Sequence, residues 1–289
     1  MAVNPWIAGA RPKTLPAAVV PVAVGLAVAV GNDGVRWWLG LPALIVSLAL
    51  QVGVNYANDY SDGIRGTDEQ RVGPLRLVGS GLVPAKKVKA AAFLAFFVAA
   101  LAGLVIALAT SLWLIAVGVA AIAAAWFYTG GKNPYGYMGL GEIFVFVFFG
   151  VVATVGSTFA VTEDLPSLSW LASIPVGCLA CALLVVNNLR DIPTDAVAGK
   201  RTLAVRLGDA RTRWFYGLLC LASAVFVVAT AVQRPAAIVG IIGLAAVRPA
   251  WVTVRGGAAG RELIAVLGAT GRAQMVFGLA FSVGLVLGG

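Results

Sequence analysis

The sequence predicts an all-α, polytopic membrane protein of about nine transmembrane helices. Of its 289 residues, 60% are hydrophobic and only 11% are charged, whereas a soluble domain usually carries about 25% charged residues. Mean hydropathy is +0.94. The apolar residues fall in long Ala/Val/Leu runs, without the alternating polarity over about ten residues that marks a membrane β-barrel strand.

The runs lie at approximately 15–31, 38–57, 90–109, 112–128, 141–160, 169–189, 214–232, 235–252 and 273–288. Pro16 and Pro21 interrupt the first, which follows Arg11 and Lys13; because similar runs follow it, it reads as a first span rather than a cleaved leader. Short connections follow the first, third, fifth and seventh spans. Polar residues concentrate in three loops, at about 57–89, 129–140 and 190–213, and the whole chain, 1–289, reads as a single integral-membrane domain.

Nine spans put the two termini on opposite sides. Of the 21 Lys and Arg residues, all but Arg36 and Arg234 then fall on the N-terminal side. Basic residues collect on the cytoplasmic face, so the N-terminus and the three loops are expected in the cytoplasm, the C-terminus outside, and the protein in the cell (plasma) membrane. A net charge of +9 distributed this way points to topology and to anionic lipid or substrate, not to nucleic acid. Lys86, Lys87, Lys89, Arg211 and Arg213 are assigned to topology alone. With no histidine, and with Cys178, Cys181 and Cys220 inside apolar runs, a zinc site is not expected. Chemistry must come from carboxylates, amides, Tyr, Lys and Arg.

Two of the polar segments resemble each other. One runs Asn55-Tyr-Ala-Asn58-Asp59-Tyr-Ser-Asp62-Gly-Ile-Arg65-Gly-Thr-Asp68 and the other Asn187-Asn188-Leu-Arg190-Asp191-Ile-Pro-Thr-Asp195, followed by Gly199-Lys200-Arg201-Thr202. Each begins on the last turns of an apolar helix, and four spans separate them. That spacing suggests a 4+4 pseudo-repeat around a central cavity, plus one extra helix. On a helix, Asn58, Asp59 and Asp62 are expected to project to one side, and Asp191 and Asp195 repeat the four-residue spacing. Carboxylates this close need cations to stay ionised. A lone acid at a helix end is most simply a partner for Arg65, Arg71, Arg190 or Lys200; two matched Asn-plus-Asp clusters point instead to Mg²⁺, which takes one or two protein carboxylates and completes its shell with water and phosphate oxygens. Two facing rows would hold a diphosphate between metal ions, with Arg65, Lys200 and Arg201 on its remaining oxygens. A third patch, Tyr128-Thr-Gly-Gly-Lys132-Asn-Pro-Tyr135-Gly-Tyr137-Met-Gly-Leu-Gly-Glu142, is expected to close over an anionic or aromatic substrate, or to be a helix hairpin with interfacial tyrosines.

These motifs resemble the UbiA superfamily of intramembrane prenyltransferases, which carries an Asn-Asp-x-x-Asp cluster after helix 2 and an Asp-x-x-x-Asp cluster after helix 6. Four stretches resemble its 1,4-dihydroxy-2-naphthoate branch in menaquinone synthesis: Arg11 to Thr14, Asn58 to Asp68, Tyr128 to Glu142, and Asp191 to Leu203. One departure is that the third acid, often four residues after Asp62, is here Gly66, with Asp68 two residues on.

The resemblance implies Mg²⁺ held by Asn58, Asp59, Asp62, Asp191 and Asp195 and bridging a polyprenyl diphosphate. Lys200, Arg201 and Arg65 would neutralise the leaving group, and Arg11, Asn188 and Asp68 would complete the substrate site; Asp68 could be a ligand or stand behind one. Tyr128 is expected to stabilise the allylic cation through its ring face, and Lys132 to hold the carboxylate of 1,4-dihydroxy-2-naphthoate. With Asp62, Asp191 and Asp195, these two form the expected catalytic set. Transfer would release diphosphate and CO₂ and give demethylmenaquinol. Membrane lipid is the other expected partner, with no nucleic acid and no obligate protein partner. The alternatives are another acceptor, such as 4-hydroxybenzoate, homogentisate or haem, and a secondary transporter, whose ionisable groups would lie nearer the membrane midplane.

Overall fold

The computed structural model describes residues 4–67 and 75–289, and among them it is helical, with no strand. A short α1 (Pro5–Ala10) precedes α2 (Pro16–Val28), α3 (Gly40–Ile64), α4 (Ala85–Ala109) and α5 (Leu114–Phe127). Next come α6 (Gly141–Val145) and α7 (Ala153–Thr162), joined by a π-helical stretch, Phe146–Val152, into one span. Then follow α8 (Ser167–Val197), α9 (Leu203–Gln233), the broken pair α10 (Gly240–Leu244) and α11 (Arg248–Arg255), and α12 (Glu262–Leu287).

Among the described residues, seven helices are long and apolar enough to cross a membrane, and two shorter apolar helices, Pro16–Val28 and Leu114–Phe127, occupy the first and fourth apolar runs. The chain is therefore a multi-pass membrane protein. Several helices outrun the apolar stretches that announce them. α3 continues through the first acid row to Ile64, α8 through the second to Val197, and α9 starts at Leu203, with Gly208 (φ 76°) making a kink. The loops expected at 57–89 and 190–213 are accordingly shorter. Polar residues end an apolar run but need not end a helix when they face an interior cavity.

The helices carrying the acid rows occupy matching places. α3 packs along the following α4 and α8 along the following α9, and these are the two most extensive helix pairs. α8 is the most enclosed span, touching α2, α7, α9 and α12. Lipid tails are as apolar as leucine, so helix association here depends on close fit rather than on exclusion of water. At Gly25, an added Cβ would sit 2.3 Å from the Thr154 carbonyl oxygen on α7; at Gly150 it would sit 2.6 Å from the Gly177 Cα on α8. Tyr216, Phe277 and Phe281 are fully buried between α9 and its neighbours on the C-terminal side. Cys178 and Cys181 are buried packing residues, and no disulfide joins any of the three cysteines.

The two basic residues expected opposite all the others sit at the ends of α3 and α9 remote from the acid rows. Arg36 donates to the Ala109 carbonyl at 2.6 Å and pairs with Glu163. Arg234 donates to the carbonyls of Val28, Val30 and Leu285, capping the ends of α2 and α12. Trp37, Trp38, Trp113 and Trp170 lie exposed at that same end, where the membrane interface favours tryptophan.

Candidate active site

At the opposite end, the tips of α3, α5 and α8 surround a cavity of about 760 Å³. Its mouth is polar and its depth apolar, the latter formed by small residues of α4 and α5 and by Phe144, Phe148 and Phe149 around the π-helical turn. Such a widened turn re-aims side chains within a span, a device common at functional sites.

From the first row, Asn58 and Asp62, one helical turn apart, line this cavity. Asp59 does not. Fully buried, it accepts the backbone amides of Leu77 at 2.8 Å and Val78 at 2.9 Å. Expected among the metal ligands, Asp59 instead stands off the cavity wall, with both carboxylate oxygens fastening the segment after the acid row. From α8, Asn187, Asn188, Asp191 and Asp195 line the opposite wall. Arg190 turns away and grips Asp191 with two hydrogen bonds of 2.7 and 2.8 Å.

The two acid-bearing segments of the sequence meet at Asp62. Lys200, from the turn after α8, brings Nζ within 2.9 Å of Asp62 Oδ1, and the Tyr137 hydroxyl donates to the same oxygen at 2.5 Å. Arg76, nearly buried on the cavity wall, lies 3.7 Å from Asp62 Oδ2. Neither Arg76 nor Tyr137 stands out in the sequence, since Arg76 sits in a basic segment without helical period and Tyr137 among interfacial-looking tyrosines. Burial and the neighbouring Asp62 charge push the Tyr137 phenol well above its ordinary range, so it remains a neutral donor. Tyr128 also lines the cavity as a neutral phenol, held up by burial and then by Glu142, and its ring meets Tyr135 edge-on at 5.5 Å.

Three of the other expected site residues stand off the cavity wall. The Arg65 guanidinium donates to the carbonyls of Thr129 and Gly131, strapping the loop after α5 to the end of α3 instead of facing the cavity. Lys132 is exposed and off the cavity wall because its loop is held by backbone and aromatic contacts that leave the side chain in solvent. Arg201 is exposed, with its backbone amide donating to the Tyr137 carbonyl at 3.0 Å. Arg11 does line the cavity, held at a left-handed φ of 53° between α1 and the Pro12–Thr14 turn. Its neighbourhood is fastened to α3 by Asn55, which donates to the Ala10 carbonyl at 2.9 Å. Asp68 and Arg71 lie outside the described residues.

The donors facing this cavity are carboxylate and amide oxygens, with lysine and arginine between them. Among the described residues, no three Asp, Glu or Cys side chains converge into a ready-made cage. That set fits a hard divalent cation that shares its shell with water and a phosphorylated substrate, and does not fit a metal enclosed by protein.

Residues 18–262 match the model of the UbiA prenyltransferase family. A 1,4-dihydroxy-2-naphthoate octaprenyltransferase of Mycobacterium tuberculosis is 50% identical over 98% of this chain and 97% of that protein. Its namesake from Escherichia coli is 38% identical over 76% and 74%. Among solved structures, a UbiA homolog from Aeropyrum pernix K1 superposes with a TM-score of 0.68 over 98% of this chain and 99% of that one, at 16% identity. One from Archaeoglobus fulgidus, bound to GPP and Mg²⁺, gives 0.67 over 97% and 100%, at 13% identity. With this fold, these facing acid rows and a family match across most of its length, the chain belongs to the UbiA prenyltransferase family.

Proposed function

We propose that the protein transfers a polyprenyl group from its diphosphate to 1,4-dihydroxy-2-naphthoate, releasing diphosphate and CO₂ and giving demethylmenaquinol. The observation that carries this reading is the 50% identity, across nearly the whole of both chains, to an enzyme named for that acceptor. The cavity supports it. A polar mouth lined by Asp62, Asp191, Asp195 and Lys200 suits a diphosphate, and the apolar depth suits an isoprenoid chain. Divalent metal dependence is supported by the carboxylate and amide oxygens at the mouth and by the Mg²⁺ bound by a structural neighbour.

In the reaction, the C1–O bond of the prenyl diphosphate breaks and its electron pair leaves with the diphosphate. An electron-rich ring carbon forms the new bond to C1, and the acceptor carboxylate departs as CO₂. Mg²⁺, when bound, supplies charge neutralisation for the leaving group. Asn58, Asp62, Asp191 and Asp195 present the oxygens that would hold it. Lys200 and Arg76 place positive charge beside Asp62, where the leaving group's charge must be met. The Tyr128 ring offers a π face for the allylic cation. The enclosed, aromatic and aliphatic wall keeps water from that cation.

The reading places one domain, 1–289, in the plasma membrane, with the N-terminus and the acid rows facing the cytoplasm. Purified protein given a polyprenyl diphosphate, several aromatic acids and Mg²⁺ should form a prenylated naphthoquinol, identified by mass spectrometry, only from dihydroxynaphthoate. Chelation with EDTA should abolish turnover, and Mg²⁺ should restore it. Product from 4-hydroxybenzoate instead would reassign the acceptor; full activity in EDTA would remove the metal from the mechanism.

A further inference from the structure

Glu142, on the first turn of α6, is a buried acid that the mechanism above does not use. It is 5% exposed and is not part of the cavity wall. Its Oε1 accepts from Asn188 Nδ2 at 3.0 Å, while its Oε2 is buried and has no hydrogen-bond partner among the described residues. The Cys181 thiol donates to its backbone carbonyl at 3.1 Å, tying this turn to α8. A buried carboxylate with an idle oxygen costs free energy that an apolar side chain of similar size would not. The position is therefore accounted for by what the other oxygen does.

What it does is orient an amide. The two ends of Asn188 differ, one donating and one accepting, and a carboxylate only accepts. With Nδ2 committed to Glu142 behind the wall, Oδ1 is the end left to the cavity that Asn188 lines. Asn188, Asp191 and Asp195 stand at helical positions i, i+3 and i+7, so they form one stripe on α8. Asn58, across the cavity, is held differently. Its Oδ1 accepts from the Thr129 hydroxyl at 2.8 Å, and because a hydroxyl also accepts, that partner leaves either end of the Asn58 amide available to the cavity.

We propose that Glu142 is a positioning residue that locks the Asn188 amide with its oxygen facing the cavity, making Asn188 a fixed oxygen donor to the divalent cation held by Asp191 and Asp195. This rests on the metal-dependent reading above. It moves Asn188 from a contact of the substrate to a ligand of the metal, and it gives the Tyr128 to Glu142 segment a part in building the metal site.

The test reads metal affinity and not turnover. Full-length protein in detergent is titrated with Mn²⁺ in the presence of inorganic diphosphate, and bound Mn²⁺ is followed by electron paramagnetic resonance. Outer partners of metal ligands typically change affinity by about 10- to 100-fold, so Glu142→Leu should weaken Mn²⁺ about tenfold, as should Asn188→Leu. The double variant should be no weaker than either single one, because both remove the same interaction. Glu142→Gln keeps a carbonyl acceptor and should stay within about threefold of the native protein. Native affinity in Glu142→Leu, or fully additive losses in the double variant, overturns the proposal. If Glu142→Leu does not fold, Glu142→Ala, which also removes the acceptor, is read in its place by the same criteria, and a tenfold loss in Glu142→Gln, which keeps the acceptor, overturns the proposal. Failure of the native protein to bind Mn²⁺ with diphosphate is a separate result, and it removes the metal-dependent reading itself.

Discussion

Asp59 and Asp62 are three residues apart on the same helix, yet they serve opposite ends. The carboxylate of Asp62 meets Lys200, Tyr137 and Arg76 at the cavity mouth, whereas Asp59 holds two backbone amides behind it. Asp62→Ala and Asp191→Ala should each lower kcat/KM at least about 100-fold, roughly 2.7 kcal/mol. Asp59→Ala should do the reverse in kind, costing about 2 kcal/mol of stability by orphaning two buried donors, which a shift in Tm would report. Lys132→Ala should change the KM for either substrate by no more than about twofold, since an exposed side chain away from the wall has little to lose. For Tyr137 the pKa is raised in the folded state, so its contribution to stability is whole below the ordinary phenol pKa, about 10, and fades as pH climbs above it. The stability gap between the native protein and Tyr137→Phe should therefore narrow above about pH 10; a gap that widened there would contradict the assigned shift.

Among the helices, backbone approach decides what the spans can tolerate. α2 lies so close to α7 that a Cβ on Gly25 would meet a backbone oxygen at 2.3 Å, and backbone cannot swing aside as a side chain can. Gly25→Val should cost about 3 kcal/mol or prevent folding, read as lost thermal stability in detergent. At Gly118 on α5 a Cβ would meet nothing within 4 Å, and alanine suits a helix interior better than glycine, so Gly118→Ala should not lower the unfolding temperature. α3, α8 and α9 also extend past their apolar runs. In α3 and α8 the polar turns carry Asn58, Asp62, Asp191 and Asp195 into the cavity, which lets the helical hydrogen bonds continue where a hydropathy profile sees a loop, whereas the added first turns of α9 carry exposed Arg206, Asp209 and Arg211.

For the molecule as a whole, the polar cavity mouth and nearly all the basic residues occupy one end, while Arg36, Arg234 and the exposed Trp37, Trp38, Trp113 and Trp170 mark the other. If the acid rows face the cytoplasm, a membrane-impermeant thiol reagent applied to intact cells should label Asp164→Cys, on the exposed turn before α8, and should leave the exposed Lys87→Cys unlabelled until the membrane is breached. A cysteine-free background is needed for both variants, because Cys220 is only partly buried. The reverse pattern would invert the topology.

The sequence alone determined the helical membrane class, the positions of the apolar runs, the two acid rows and the family, because hydropathy and motif spacing are local properties that no packing can alter. Only the tertiary structure decided that Asn58 and Asp62 face the cavity while Asp59 turns behind it, for helical spacing puts residues on one side without saying which neighbour waits there. It also decided that Lys200, over a hundred residues from Asp62 in the chain, brings its ammonium within 2.9 Å of that acid. The roles of Arg76 and Glu142 were illegible beforehand for the same reason, although Glu142 closes the third polar patch. One is a single arginine in a basic segment and the other a lone acid after a glycine-rich turn, and what each contributes depends on a partner contributed by a different helix.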